Sequence, residues 1–128
     1  MTGVQTCALP ILHVDLYDHE AAAPVLDDEM FYAHCRDLLA DGGVMAVNFF
    51  GRHASFDRSL SHVVSAFGPD QVWRLQATRE GNTVLVAGKG VVVPDRDTLW
   101  RRAEFLESAF KAQGLPAKKW LRMVRPGP

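Results

Sequence analysis

The chain lacks most of the features that point to a membrane protein, a secreted protein or a nucleic-acid-binding protein. It has 128 residues, 2 cysteines and a formal net charge of -1, from 14 Lys and Arg against 15 Asp and Glu. Two cysteines are too few for a disulfide framework, so we expect a reduced, cytoplasmic setting. The charge balance excludes a general nucleic-acid binder, which needs an excess of basic residues. No apolar run approaches the roughly 20 residues that span a bilayer, so we expect no membrane partner.

Metal-ligand spacings and internal repeats are also missing. The 5 histidines are scattered, with no pair at the spacing of helical metal ligands, so we expect no metal site. Cys35 falls on the apolar side of a helical segment, which favours a packed thiol over a nucleophile. The length and the 48% content of hydrophobic residues are typical of one globular domain with a real core.

The first eleven residues, MTGVQTCALPI, read as the translation of a sequencing adapter. One frame of the index-side adapter of a common short-read chemistry encodes them, so we expect residues 1–11 to be an artefact joined to a truncated frame. The chain proper then begins at Leu12. A secretion signal is the alternative, but the segment has no basic start and Pro10 interrupts its apolar stretch.

Strand-like and helix-like segments alternate from Leu12 onward. An apolar run closes on Asp15, a helix starts at Asp27 or Asp28, and a continuous apolar strand and a helix over 54–67 follow. QVWRLQA and TVLVAGK form an antiparallel hairpin, and Pro94-Asp95 starts a last helix that runs to about Gln113. This order predicts an α/β fold over residues 12–113, the C-terminal half of a doubly wound, mostly parallel sheet with an antiparallel edge hairpin.

Apolar spacing predicts which side of each helix packs in the core. The first helix is expected to end at Asp41-Gly42-Gly43. The expected core residues are Met30, Phe31, Cys35, Leu38 and Leu39 in the first helix, Leu60, Val63, Val64 and Phe67 in the second, and Leu99, Phe105, Leu106 and Phe110 in the last.

Two acids stand at the end of the first strand, where doubly wound sheets bind ligands. Asp15 closes the strand and Asp18 follows in the loop. Two carboxylates there can bind a cationic substrate or accept its proton, although acids at strand ends often only cap loops. Asn48 and Arg52 near the end of the next strand fall on the same rim. His19 can transfer protons there, or simply lie in solvent.

The stretch from His13 to Gly51 resembles the spermidine synthase (polyamine aminopropyltransferase) family. The matching elements are Asp15, Asp18, Leu26, Phe31-Tyr32, Leu39 and Gly42-Gly43, which align without a gap. The hairpin around EGNTVLVAGKG is similar to the hairpin that closes the family's sheet, so a weaker match extends to Lys89. The resemblance implies a class I methyltransferase-like (Rossmann-like) fold and transfer of an aminopropyl group from decarboxylated S-adenosylmethionine to a polyamine.

The resemblance also assigns roles to individual residues. Asp15 matches the catalytic acid that orients the amine and accepts its proton. Asp18 matches a second, substrate-binding acid. From its place between the two acids, not from the resemblance, Tyr17 is expected to line the pocket; the alternative is that it only fills the loop. After Asp18 the chain departs from the family's Pro and Gly-Pro loop, which puts the identity of the amine in doubt.

The cofactor-binding residues cannot be assigned, since no Gly-rich loop after a first strand is present. We therefore expect this chain alone to be catalytically inactive. A methyltransferase of the same fold, using S-adenosylmethionine, stays open, as does a non-catalytic relative that serves binding or dimerisation. The basic tail, residues 114–128, is expected to dock with its charges in solvent; contact with an anionic surface or with a second subunit in a homodimer is the alternative.

Overall fold

A computed structural model describes residues 8–15, 27–50 and 54–128 of the protein. The described strands and helices alternate as the sequence predicts, with two additional short elements in the tail. The strands are β1 (Leu9–Val14), β2 (Leu39–Phe50), β3 (Val72–Leu75), β4 (Asn82–Gly88) and β5 (Val124–Pro126), and the helices are α1 (Glu29–Leu38), α2 (Ala54–Phe67), α3 (Arg96–Ala109) and α4 (Ala117–Met123).

The strands form one sheet in the order β1-β2-β4-β3-β5. β1 and β2 are parallel, whereas β4 is antiparallel to both β2 and β3, and β5 is antiparallel to β3. β1, β2 and β3 therefore run in one direction. The α/β class and the hairpin are confirmed. Of the described strand pairs, however, β1–β2 is parallel and the other three are antiparallel. The hairpin is also not at the edge: β4 lies inside the sheet, and β5 covers the outer side of β3.

Alternate residues of the sheet form the core with α1 and α2. Met45 and Leu85 are fully buried on this face, and Val63 of α2 is fully buried against them. Side chains of a strand alternate between its two faces, so one face of each strand supplies the core. The expected core side of α2 is confirmed, and Cys35 of α1 is buried as predicted.

The first helix ends earlier than expected. Leu38 is the last residue of α1, and Leu39 already has extended backbone angles (φ -77°, ψ 143°). Asp41-Gly42-Gly43 therefore belongs to β2 rather than to a helix end. Met30 and Leu38 are exposed, so the expectation that both are core residues was wrong. The short helix turns only Tyr32 and Cys35 fully into the core.

The expected core side of the last helix was also wrong. Phe105, Leu106 and Phe110 are exposed and Leu99 is half-buried, whereas Ala103 is buried. The reason is that α3 packs against α4, which the tail forms. Trp100 lies 4.9 Å from the Arg122 guanidinium and 5.9 Å from Lys118 Nζ, a cation–π arrangement.

The two ends of the chain both contribute to the sheet. β1 begins at Leu9, so Leu9–Ile11 of the segment expected to be an artefact pair with β2, and the origin of residues 1–11 stays a prediction. Residues 124–126 of the basic tail form β5. Within the described residues, no helix is long and apolar enough to cross a membrane.

Candidate functional site

The carboxyl ends of β1, β2 and β3 meet at one edge of the sheet, which we call the carboxyl edge. These strands share a direction, so the residues that follow them lie on the same side of the molecule. Asp15 follows β1, and Phe50 and Leu75 end β2 and β3. In α/β sheets, ligands bind outside the carboxyl ends of the strands. A ligand-binding site is therefore expected at the carboxyl edge.

Asp15 lies at the carboxyl edge with its side chain exposed. The preceding residue, Val14, is buried and pairs with Val47 of β2, so the strand fixes the backbone up to the acid. Asn48 follows Val47 and is half-buried, so Asn48 and Asp15 both stand one residue beyond the last parallel pair. The predicted position of Asp15 at the strand end is confirmed.

The other residues predicted for this rim lie outside the described residues. They are Tyr17, Asp18, His19 and Arg52. The proposed pairing of Asp15 with Asp18 therefore stays a prediction, as does the lining role of Tyr17.

A buried hydrogen-bond network connects α1 with α2 beside this edge. Tyr32 Oη donates to Asp27 Oδ1 at 2.9 Å, and Ser59 Oγ donates to Asp27 Oδ2 at 2.7 Å. Tyr32 and Ser59 are both buried. One carboxylate thus accepts from two helices, and its two oxygens are both used. Asp27 directly precedes the N-cap of α1, so the network anchors the start of α1 on α2.

Sequence reasoning did not find this network, although a signal was present. Asp27 and Asp28 were alternatives for capping α1, and Asp28 does so, accepting from the Phe31 backbone N–H at 2.7 Å. Because one residue caps the start of a helix, Asp27 is available for the hydrogen bonds to Tyr32 and Ser59. Its partner Ser59 is 32 residues away, a contact that local patterns do not predict.

Tyr32 is held in its neutral form. Burial raises the pKa of the Tyr32 phenol, and the hydrogen bond to Asp27 and the negative charge of that carboxylate raise it further. The phenol therefore stays a hydrogen-bond donor throughout the physiological range. It is a structural donor to Asp27, not a base for catalysis.

A cavity of about 620 Å³ opens at the carboxyl edge between α2 and the β3–β4 turn. Its polar lining consists mainly of Asp57, Arg74, Gln76, Thr78, Thr83 and Arg125. Phe56 supplies an apolar wall and makes an edge-to-face contact with Phe49, with ring centroids 6.1 Å apart. A volume of this size suits a small organic ligand. Asp15 does not line this cavity; β2 and β4 lie between β1 and β3.

Nothing in the described part of the chain forms a metal site or a nucleotide-binding loop. The described residues hold no group of three His, Cys, Asp or Glu side chains that could bind a metal. Gly88 ends β4, and Lys89 and Gly90 follow it. Because β4 runs antiparallel to β2, these residues lie at the edge opposite to Asp15. Lys89 Nζ donates to the Leu39 carbonyl at 3.0 Å, which ties this glycine pair to β2. These glycines are thus not placed to hold a nucleoside beside Asp15.

Comparison with known proteins agrees with the resemblance read from residues 12–51. No family model matches the chain. Polyamine aminopropyltransferases from Neisseria meningitidis serogroup A and serogroup B are each 27% identical over 101 residues, which is 78% of this chain and 38% of each relative. A probable spermidine synthase from Corynebacterium glutamicum has a similar fold, with a TM-score of 0.56 and 17% identity over 86% of this chain and 40% of that one.

The chain thus spans about two fifths of the length of the relatives it matches. The structural match, at 17% identity, shows a shared fold, and the sequence matches name the same class of protein. The chain is thus similar in sequence to part of the polyamine aminopropyltransferases and in fold to part of a probable spermidine synthase.

Proposed function

We propose that this chain supplies the part of an aminopropyltransferase site that binds the acceptor amine. Asp15 is the catalytic carboxylate, which accepts the proton of that amine. The observation that carries the proposal is the place of Asp15, exposed at the carboxyl edge directly after the parallel strand β1. The similarity to polyamine aminopropyltransferases supports the same role.

The chemistry requires a neutral amine, although primary amines are protonated near pH 7. Asp15 accepts a hydrogen bond from the bound ammonium group and takes or relays its proton, so that the nitrogen lone pair is free. Decarboxylated S-adenosylmethionine supplies the electrophilic carbon beside its sulfonium, where the new C–N bond forms as the C–S bond breaks. The carboxylate also attracts the two cationic reactants, and its exposure leaves its oxygens open to them.

Asp18 and Tyr17 have supporting roles in this proposal. Asp18 binds the amine or the aminopropyl donor, as the resemblance implies. Tyr17, which lies between the two acids in the sequence, lines the pocket. The network of Tyr32, Asp27 and Ser59 anchors the start of α1, which follows Asp18 in the chain.

The donor-binding residues are not among these 128 residues in this proposal. The sequence has no Gly-rich loop after a first strand, and the Gly88–Gly90 pair lies at the wrong edge. We therefore propose that the chain alone is inactive and that activity needs a cofactor-binding half. A cytoplasmic location and a homodimer stay predictions.

The test compares this chain with the protein encoded by the continuous reading frame at its source locus. Each is incubated with butane-1,4-diamine and either decarboxylated S-adenosylmethionine or S-adenosylmethionine, and products are identified by mass spectrometry. We expect an aminopropylated amine only from the longer protein with the decarboxylated donor. A methylated product with S-adenosylmethionine instead establishes the methyltransferase alternative. Turnover by the 128-residue chain alone contradicts the inactivity proposed here.

A further inference from the structure

Two arginines face the carboxyl-edge cavity from neighbouring strands. Arg74 of β3 and Arg125 of β5 are direct partners in the antiparallel register. Arg74 also pairs with Leu85, a fully buried residue on the helix-covered face, so Arg74 stands on the α2 side of the sheet. Both arginines line the cavity.

This pair of positive charges has no acidic partner in the described structure. Among the described residues, the one ion pair joins Lys118 and Glu107, and neither of them lines the cavity. Arg125 Nη1 donates to the carbonyl oxygens of Arg122 and Val124, at 2.6 and 2.8 Å, which orients its side chain without neutralising it. Like charges directly opposite each other across a sheet are destabilising. An anion that contacts both side chains relieves that repulsion.

The other residues that line the cavity limit the kind of ligand that it can bind. Asp57 at the start of α2 also lines the cavity, so the cavity has one negatively charged and two positively charged side chains. A dianion such as phosphate meets repulsion from Asp57, whereas a molecule with one carboxylate and one ammonium group matches both signs. Phe56 offers an apolar surface for a short methylene chain between those groups.

The cavity wall is fixed by backbone hydrogen bonds. Thr78 N–H donates to the Asn82 carbonyl at 2.9 Å, and Asn82 N–H donates to Thr78 Oγ1 at 3.2 Å. Gln76 N–H donates to the Met123 carbonyl at 3.0 Å, which ties the end of β3 to the tail. A fixed wall lowers the entropic cost of binding a small ligand.

We propose that this cavity binds a carboxylate-bearing amine, with Arg74 and Arg125 contacting the carboxylate and Asp57 contacting the ammonium group. The inference does not depend on the role of Asp15 or on aminopropyl transfer, since Asp15 lies outside the cavity lining.

The test is an NMR titration of the full 128-residue chain with four probes: 4-aminobutanoate, butanoate, butane-1,4-diamine and inorganic phosphate. We expect 4-aminobutanoate to bind most tightly and to shift the amide signals of Gln76, Thr78 and Gly81, which line the cavity. Tighter binding of the diamine or of phosphate overturns the proposal, and so does the absence of 4-aminobutanoate binding.

Matched variants locate the binding site. Arg74→Gln and Arg125→Gln should each weaken 4-aminobutanoate binding about tenfold, because each removes a charge-assisted hydrogen bond. Arg79→Gln removes the same charge from the adjacent turn, outside the cavity lining, and should leave binding unchanged. Asp57→Asn should weaken 4-aminobutanoate but not butanoate. Equal effects of Arg74→Gln and Arg79→Gln overturn the proposal, and the amide spectrum of each variant confirms that it is folded.

Discussion

The phenol of Tyr32 donates a 2.9 Å hydrogen bond to Asp27. This bond joins the first turns of α1 to the residue just before its N-cap. Asp27 completes the connection to α2 through Ser59, at 2.7 Å. Two buried donors on one carboxylate fix the relative position of the two helices that cover the core face of the sheet.

Tyr32→Phe removes the donor and keeps the ring. We expect the free energy of unfolding to fall by about 1–3 kcal/mol, because a hydrogen bond to a charged group is lost. Urea unfolding followed by circular dichroism measures the change. Ser65→Ala, which removes an exposed hydroxyl from α2, should change stability by less than about 0.5 kcal/mol. Equal stability of wild type and Tyr32→Phe contradicts the network.

The same pair predicts how stability depends on alkaline pH. The pKa of Tyr32 is raised in the folded state above its ordinary value of about 10, first by burial and then by Asp27. The group therefore stabilises the fold fully below about pH 10, and that contribution is lost as the pH rises further, because only the unfolded phenol ionises readily. Unfolding of wild type and Tyr32→Phe at pH 8 and pH 11 checks this. We expect the difference between them to shrink at pH 11; a constant difference contradicts it.

The exposure of Phe105 on α3, where the sequence predicted a core residue, gives a third prediction. Phe105 is 71% exposed, so Phe105→Ala should change the free energy of unfolding by less than about 0.5 kcal/mol. Leu85 is fully buried, and Leu85→Ala should cost about 2–5 kcal/mol, because it leaves a cavity in the core. Chemical denaturation of both variants distinguishes the two positions. A cost at Phe105 as large as that at Leu85 restores the core side expected from the sequence.

The two glycines of the Gly42-Gly43 pair serve different purposes. A Cβ on Gly43 would lie 2.8 Å from the Ala40 carbonyl oxygen and 2.9 Å from that of Leu9, both backbone atoms. Gly42 has open space but a φ of 77°, which L-residues adopt at a cost of roughly 1–2 kcal/mol.

We therefore expect Gly43→Ala to destabilise the protein more than Gly42→Ala and to disturb the pairing of β1 with β2. Thermal unfolding measures the first effect. Amide exchange in residues 11–14 measures the second, with Gly42→Ala as the comparison. A smaller loss of stability from Gly43→Ala than from Gly42→Ala contradicts the close approach of β1.

Local patterns predicted the parts of the fold that local physics determines. The helical spacing of Val63 and Phe67 identified the core side of α2, and the turn at Gly81 identified the β3–β4 hairpin. The apolar run closing on Asp15 placed that acid at a strand end, which the structure confirms. These features need only neighbouring residues in the chain.

Long-range contacts account for what the sequence did not predict. The core side of α3 depends on Trp100 packing against Lys118 and Arg122 of α4, and the period of α3 alone does not show this. The pairing of Arg74 with Arg125 requires β5, which has only 3 residues and no strand-like pattern of its own. The sequence alone therefore did not predict the cavity that Arg74 and Arg125 line.

The most direct test of the central proposal is aminopropyl transfer by the Asp15→Asn variant of the protein encoded by the continuous frame. General acid–base groups contribute about 10²–10⁴-fold to rate, so we expect kcat to fall at least about 100-fold. Asp37→Asn, which neutralises an exposed acid on α1, should retain the wild-type rate. Transfer that is undiminished in Asp15→Asn contradicts the role assigned to Asp15.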